Sequence, residues 1–120
     1  MDFLGPKQAL PNRLATYSEL GGSTTPTWST LTSNTTVTAS TTTRQLFLAN
    51  AAGGSFTVTL PTAVGFNGLP IVVKRINSGA NTVTIATTSS QTIDGQLTQI
   101  LNAQWVSLEF SSNGTSWFII

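Results

Sequence analysis

The C-terminal part of the chain alternates polar and apolar residues with a period of two. From Asn81 the sequence runs N-T-V-T-I-A-T, then T-I-D-G, then W-V-S-L-E-F, and it ends with S-N-G-T-S-W-F-I-I. Successive side chains of a strand point to opposite faces of a sheet, so each segment can bury one face and leave the other in water. The pattern therefore predicts a series of short β-strands.

The same alternation extends back to about Thr35 and predicts nine strands. Turn pairs that tolerate positive φ angles separate them, such as Asp94-Gly95 and Asn113-Gly114. Several connections are short enough for hairpins, which predicts mainly antiparallel sheets. The predicted strands cover residues 35–40, 45–50, 55–60, 69–77, 82–87, 91–93, 98–101, 104–111 and 115–120.

We interpret residues 35–120 as one all-β domain, a small antiparallel β-sandwich or jelly-roll-like module that forms trimers. A chain of 120 residues has room for one domain, with or without an arm. The sequence contains no cysteine, so neither disulfides nor thiolate metal sites can stabilise the fold. Packing or oligomerisation must therefore supply the stability.

Residues 1–34 differ in composition and pattern from the rest of the chain, and this difference predicts an extended N-terminal arm. Prolines and glycines interrupt any regular element there, and only residues 12–20 could form a short helix. Large apolar residues recur every few positions, as in segments that order when they bind a partner. The alternative is a partly ordered N-terminus without a partner. The residues predicted to attach the arm are Phe3, Leu4, Leu10, Leu14, Tyr17, Leu20 and Trp28.

Charged residues make up only 8% of the chain, against roughly 25% in typical globular proteins. The formal net charge of +1 is too small for a nucleic-acid surface, and the basic residues form no stripe with interleaved aromatics. Lys74-Arg75 is the only basic pair, and we interpret it as one outward-facing and one inclined side chain on a strand. We therefore expect no nucleic-acid partner.

The N-terminal sequence M-D-F-L-G-P lacks the basic and continuous apolar regions of a signal peptide. No apolar run approaches the roughly 18 residues that a membrane span needs. These observations predict synthesis in a cytoplasm without a membrane partner. A virus particle is one vehicle that would carry such a protein out of the cell.

The apolar C-terminus predicts contact between copies of the chain. Residues 117–120, W-F-I-I, put apolar side chains on both faces of a terminal strand, which is a poor edge for a monomer. Closed symmetry would cover this strand, and we predict a homotrimer. The predicted interface residues are Trp105, Trp117, Phe118, Ile119 and Ile120.

Few residues in the sequence could carry catalysis. The chain has no histidine, and the predicted β module has only Asp94 and Glu109 as acids. Asp94 belongs to an Asp-Gly turn, while Glu109 lies opposite its apolar neighbours on a strand and should be solvated or paired with a lysine or arginine. We therefore predict that the protein is not an enzyme and has no catalytic, cofactor or metal residues.

The tryptophans allow two interpretations. Trp28, Trp105 and Trp117 could stack against sugars if their rings are exposed. The favoured interpretation places Trp105 and Trp117 in a core or a subunit interface.

An ordered series of residue blocks resembles a β module of tailed-bacteriophage structural proteins, found in tail fibres, tail spikes and decoration proteins. The resemblance covers residues from about 45 to 120 and implies a trimeric virion module with an N-terminal attachment segment. The blocks are F-T-V-T-L-P-T-A at 56–63, I-V-V-K-R at 71–75, N-T-V-T-I at 81–85, T-I-D-G at 92–95, W-V-S-L at 105–108 and N-G-T-S-W at 113–117.

Two functions are consistent with these features. The first is a homotrimeric decoration, cement or short head-fibre protein whose arm binds the major capsid protein or another virion protein. The second is a tail-fibre or receptor-binding module that recognises a host surface glycan. A projecting fibre needs a shaft, and the sequence has neither heptads nor a repeat to build one. The first function is therefore favoured.

Overall fold

In the computed structural model, which describes residues 26–66 and 68–120, the chain forms two β-sheets around a shared core. The all-β prediction is confirmed, and the arrangement is sandwich-like. The strands in chain order are β1 (Thr27–Leu31), β2 (Thr35–Thr36), β3 (Gln45–Ala49), β4 (Phe56–Thr59), β5 (Ile71–Arg75), β6 (Val83–Ala86), β7 (Thr98–Leu101), β8 (Ser107–Ser112) and β9 (Trp117–Ile119).

The chain alternates between the two sheets as it proceeds from β1 to β6. Sheet A has five strands in the order β9-β8-β5-β3-β1, and sheet B has four in the order β2-β4-β6-β7. Each pair of consecutive strands up to β6 therefore contributes one strand to each sheet, and successive pairs stack on one another. After β6 the chain places β7 in sheet B and returns through β8 and β9 to sheet A.

The prediction of mainly antiparallel sheets is wrong. Four ladders between the described strands are parallel, namely β1–β3, β3–β5, β2–β4 and β4–β6. Three are antiparallel, namely β5–β8, β8–β9 and β6–β7. The physical reason is that turns such as Gly53-Gly54 connect strands of different sheets, so they do not close a hairpin.

The core is built from the inward-facing residues of both sheets. In β4 and β6, buried and partly exposed residues alternate, as the period-two pattern predicts. The register aligns Phe56 with Val83 and Val58 with Ile85, and all four side chains are buried. The opposing buried residues of sheet A are Phe47, Ala49, Ile71, Val73, Phe110 and Trp117.

Trp117 is the largest fully buried side chain of the described core. Its ring meets Phe66 edge-on at 4.7 Å between centroids, and its Nε1 donates to the Pro61 carbonyl at 3.1 Å. Its backbone also bonds to the segment that precedes β7, because the Trp117 amide donates to Thr92 O and the Asp94 amide donates to Trp117 O. This segment covers the outer edge of β9.

The predicted Asp94-Gly95 turn is confirmed. Both residues have positive φ angles, of 50° and 83°, as a two-residue turn of this kind requires. The flanking Ile93 and Gln96 exchange two backbone hydrogen bonds, of 2.7 and 2.9 Å. The Asp94 carboxylate accepts a hydrogen bond from the Ile119 amide at 3.1 Å, so this acid has a structural contact.

Most predicted strands are present but shorter than predicted. The strand at 98–101 agrees with β7, whereas the one at 35–40 is reduced to β2. The segment 91–93 contains only an isolated bridge at Ile93 and no strand.

Strand β1 lies within the range that the sequence assigns to the N-terminal arm, so this part of the boundary is wrong. Trp28, predicted as an attachment residue, pairs with Leu46 in the parallel ladder between β1 and β3. Leu31 packs against the core. The remaining six attachment residues and the proposed helix at 12–20 lie outside the described residues. They are Phe3, Leu4, Leu10, Leu14, Tyr17 and Leu20.

The position of β1 predicts where the chain can be shortened. A chain that begins at Pro26 should keep the stability of the full chain in urea unfolding followed by circular dichroism. A chain that begins at Thr35 loses β1 and leaves the edge of β3 unpaired. At a net ~0.5–1.5 kcal/mol per hydrogen bond, this loss should lower the free energy of unfolding by at least about 2 kcal/mol. Equal stability of the two shortened chains would contradict the assignment of β1 to the fold.

Candidate interaction surface

The outer face of sheet A carries a row of apolar side chains across the sheet. Leu46 and Val72 lie beside buried residues in β3 and β5, so they point away from the core. The register continues this row from Trp28 through Leu46 and Val72 to Glu109. Ile120 extends the row, since its amide donates to Glu109 O at 2.9 Å.

We name this surface the apolar face. Trp28 and Ile120 are 61% and 67% exposed, and they lie at opposite ends of the row. The apolar residues between them are at least partly exposed, and β8 contributes Glu109 to the row in place of an apolar side chain. Contiguous apolar patches of this kind are typical of surfaces that contact another macromolecule. The apolar face consists of Trp28, Leu46, Leu48, Val72, Phe118 and Ile120.

Three of the five charged side chains among the described residues lie on the same side of sheet A. Arg44 forms an ion pair with Glu109, which confirms the prediction that Glu109 is solvated or paired with a basic residue. Lys74 also points outward and donates to Trp105 O at 3.2 Å. The face therefore carries charges of both signs within an apolar surround.

Arg75, the neighbour of Lys74, points inward and is buried, so the interpretation of this basic pair holds for the outward-facing Lys74 but not for Arg75, which is buried where an inclined side chain was expected. Its guanidinium donates to Gly79 O at 2.7 Å and to Leu101 O at 3.3 Å, while its Nε has no partner. Carbonyl oxygens alone thus solvate a buried charge. Since Leu101 ends β7, Arg75 fixes the start of the connection between β7 and β8.

Trp105 lies in that connection, at the margin of the apolar face. The residue is 58% exposed, and the Lys74 ammonium lies 6.0 Å from the ring centroid. Its backbone has a φ angle of 72°, which is rare for a bulky residue. A cation near one part of the ring leaves the rest of the indole available for contact.

The outer face of sheet B has a different chemistry. It carries threonine hydroxyls and methyl groups in register, with Thr57 beside Thr84 and Thr36 beside Thr59. None of the described charged residues lies on it. Ile100 is the exposed large apolar side chain on this face. The two outer faces therefore differ sharply in polarity.

A shallow cleft of about 310 Å³ lies between the β1–β2 and β3–β4 turns. Small polar residues, two glycines and Phe56 form its walls, and no charged residue lines it. Asn34 is held in place there because its Oδ1 accepts a hydrogen bond from the Thr57 amide at 2.8 Å. The lining residues are Thr32, Ser33, Asn34, Gly53, Gly54, Ser55 and Phe56.

The structure separates the predicted interface residues into two groups. Trp105, Phe118 and Ile120 are exposed, and they lie on or beside the apolar face. Ile119 points to the other side of β9 and packs partly against the core. Trp117 is fully buried inside a single chain, so its side chain has no surface for a neighbouring subunit. Its prediction as an interface residue is therefore wrong, and of its two predicted locations the core is correct.

Sequence reasoning missed the central residues of the apolar face, Leu46, Leu48 and Val72. A signal was present, because the segments L-F-L-A of β3 and I-V-V of β5 are continuously apolar. Such runs indicate strands that are buried on both faces.

Within residues 26–66 and 68–120, no three His, Cys, Asp or Glu side chains come together to hold a metal ion. In the same residues, no helix is long and apolar enough to cross a membrane. No protein-family model, curated protein or solved structure matches this chain.

The Arg44–Glu109 pair should contribute little to folding. Its side chains are 50% and 28% exposed, and exposed pairs of this kind contribute less than about 1 kcal/mol. Glu109→Gln should therefore change the free energy of unfolding by less than that amount in urea titrations at low ionic strength. A loss of several kcal/mol would mean that the pair is needed for the fold itself.

Proposed function

We propose that this chain is a non-enzymatic structural protein of a tailed-phage particle, which forms a homotrimer through its apolar face and stabilises the particle. The observation that carries this proposal is the group of exposed apolar side chains on the outer face of sheet A, which come from β1, β3, β5 and the C-terminal residues and which Glu109 of β8 interrupts. In a protein with so few charges, burial of these apolar side chains against another copy would supply most of the free energy of association.

Association through this face follows from the energetics of apolar surface. Each Å² removed from water contributes roughly 25 cal/mol, and the side chains at both ends of the row are more than half exposed in the single chain. Closed cyclic symmetry covers equivalent faces without leaving a free end. A trimer of this module would have one apolar face per subunit turned toward its neighbours and the threonine face of sheet B turned toward solvent.

The described carboxylates support a role without catalysis. Asp94 accepts from the Ile119 amide in a tight turn, and Glu109 pairs with Arg44 on the outer face of sheet A. A glycosidase needs two carboxylates that face one substrate across a cleft. The described cleft is lined by neither acid.

The virion assignment rests on the resemblance of residues 45–120 to phage structural modules. In this proposal the residues before β1 attach the trimer to the major capsid protein or to another virion protein. Because β1 begins at Thr27, at the edge of sheet A, this segment leaves the module beside Trp28 and the apolar face. Attachment and trimer contacts would thus lie close together.

Stabilisation of a particle would follow from mass action. A ligand that binds only the assembled shell shifts the equilibrium toward that shell. Three arms on one trimer bind together, so modest contacts at each site combine into a high overall affinity. Repetition over the particle surface then opposes expansion and rupture.

A receptor-binding module for a neutral host glycan is the second candidate function. The cleft between the β1–β2 and β3–β4 turns favours it, because its hydroxyl and amide groups can form hydrogen bonds with a polyhydroxylated ligand. No charged residue lines the cleft, so it would not select for a charged ligand. This function would require the cleft to stay exposed in the assembled particle.

The trimer can be tested by making the apolar face polar. The triple variant Trp28→Thr, Val72→Thr and Ile120→Thr keeps residues that favour strands but removes the apolar row. We expect three times the chain mass for the wild type and a monomer for the variant in light scattering at micromolar concentration.

The matched control changes exposed apolar residues away from sheet A. Leu97→Thr with Ile100→Thr removes two such side chains near sheet B and should leave the trimer intact. A monomeric wild type, or a control that dissociates as readily as the triple variant, would contradict the assigned interface.

The proposed role on the particle can be tested with particles that lack this protein. Particles assembled without this protein should release their genome at a lower temperature or after a milder osmotic shock than complete particles. Adding back the full chain should restore resistance, whereas adding the chain that begins at Pro26 should not. Particles that are equally robust but no longer adsorb to their host would favour the receptor-binding function.

A further inference from the structure

Trp105 has a backbone conformation that its side chain disfavours. Its φ angle is 72°, in the left-handed region that bulky residues seldom occupy. The other described non-glycine residues with positive φ are Ser89, Ser90 and Asp94, which are small and polar. Small polar residues tolerate this region in turns, but an aromatic residue there is strained.

Contacts from β5 impose this conformation. The Trp105 amide donates to Arg75 O at 2.8 Å, and Lys74 Nζ donates to Trp105 O at 3.2 Å. The Arg75 side chain also holds the beginning of the same connection through Leu101 O. The backbone on both sides of Trp105 is therefore fixed by buried or bonded groups.

Few interactions within the single chain offset this strain. Trp105 is 58% exposed, and the Lys74 ammonium lies 6.0 Å from its ring centroid. Asparagine or glycine would fit the backbone better. A strained residue with an exposed aromatic ring at the margin of an apolar face indicates a function outside the single chain.

We infer that Trp105 is the anchor of the contact between copies of this chain, with its ring buried against the neighbouring copy and the backbone strain offset by that burial. This inference rests on the proposed trimer and names the residue on which its affinity chiefly depends. Tryptophan is enriched among the few residues that dominate protein interfaces. A backbone that hydrogen bonds already hold in place also loses little entropy when the residue binds.

The charges beside Trp105 favour a second copy over other partners. Arg44 and Glu109 neutralise each other within the chain, so this part of the face carries little net charge and two copies can meet there without strong repulsion. A nucleic acid would meet Glu109 as well as the basic side chains. The cleft suited to a neutral sugar is lined by other residues and does not include Trp105.

Three substitutions separate an anchor from a structural residue. Trp105→Asn relieves the strain and removes the ring, so the urea midpoint at low protein concentration should stay or rise while the trimer dissociation constants rise at least tenfold. Trp105→Phe keeps both an aromatic ring and the strain and should retain most of the affinity. Ser90→Asn, at a φ of 57°, relieves a similar conformation elsewhere and should leave association unchanged.

Far-UV circular dichroism measures the midpoint, and analytical ultracentrifugation of the full chain measures association. A trimer that survives Trp105→Asn at the wild-type affinity would overturn this inference and leave the proposed trimer standing. A lower midpoint without a change in association would assign Trp105 to the fold and overturn the inference equally. A monomeric wild type would overturn both the trimer and this contact.

Discussion

The in-register stacking of successive parallel strands is the constraint on which the rest of this structure depends. In sheet A, Phe47 aligns with Val73 and both face inward, while Leu46 aligns with Val72 and both face outward. A slip of one residue would exchange these two faces. The register that places the core residues inward therefore also places the residues of the apolar face outward. A change of register would alter both the core and the apolar face.

The sequence was sufficient to predict most of the strands but not their pairing. Period two identified β4 and β6 because each has one buried face, and the pattern reports burial directly. Turn residues such as Gly53-Gly54 mark where the chain reverses, but they do not say whether the next strand joins the same sheet. Because consecutive strands join different sheets, neighbouring strands within a sheet are parallel. Long-range packing of the core determines which sheet each strand joins.

Strand β1 was missed for a related reason. The sequence before it contains Pro26 and Gly21-Gly22, which indicate irregular structure, and T-W-S-T-L alone has no clear apolar face. Its pairing with β3 supplies the backbone hydrogen bonds that local sequence does not predict. Trp117 illustrates the same limit, since alternation leaves open which side of β9 is the core. Its Nε1 finds a partner at Pro61 O, 56 positions away along the chain.

The contrast between the two outer faces limits how the module can associate. Sheet A presents a row of large apolar side chains, whereas sheet B presents threonines whose hydroxyls stay hydrated. Covering sheet A gains far more free energy than covering sheet B, because the gain depends on the apolar area removed from water. Two equally apolar faces would favour open-ended stacking, while a single one favours a closed assembly. With only five charged side chains among the described residues, this asymmetry, more than charge repulsion, would keep an assembly finite.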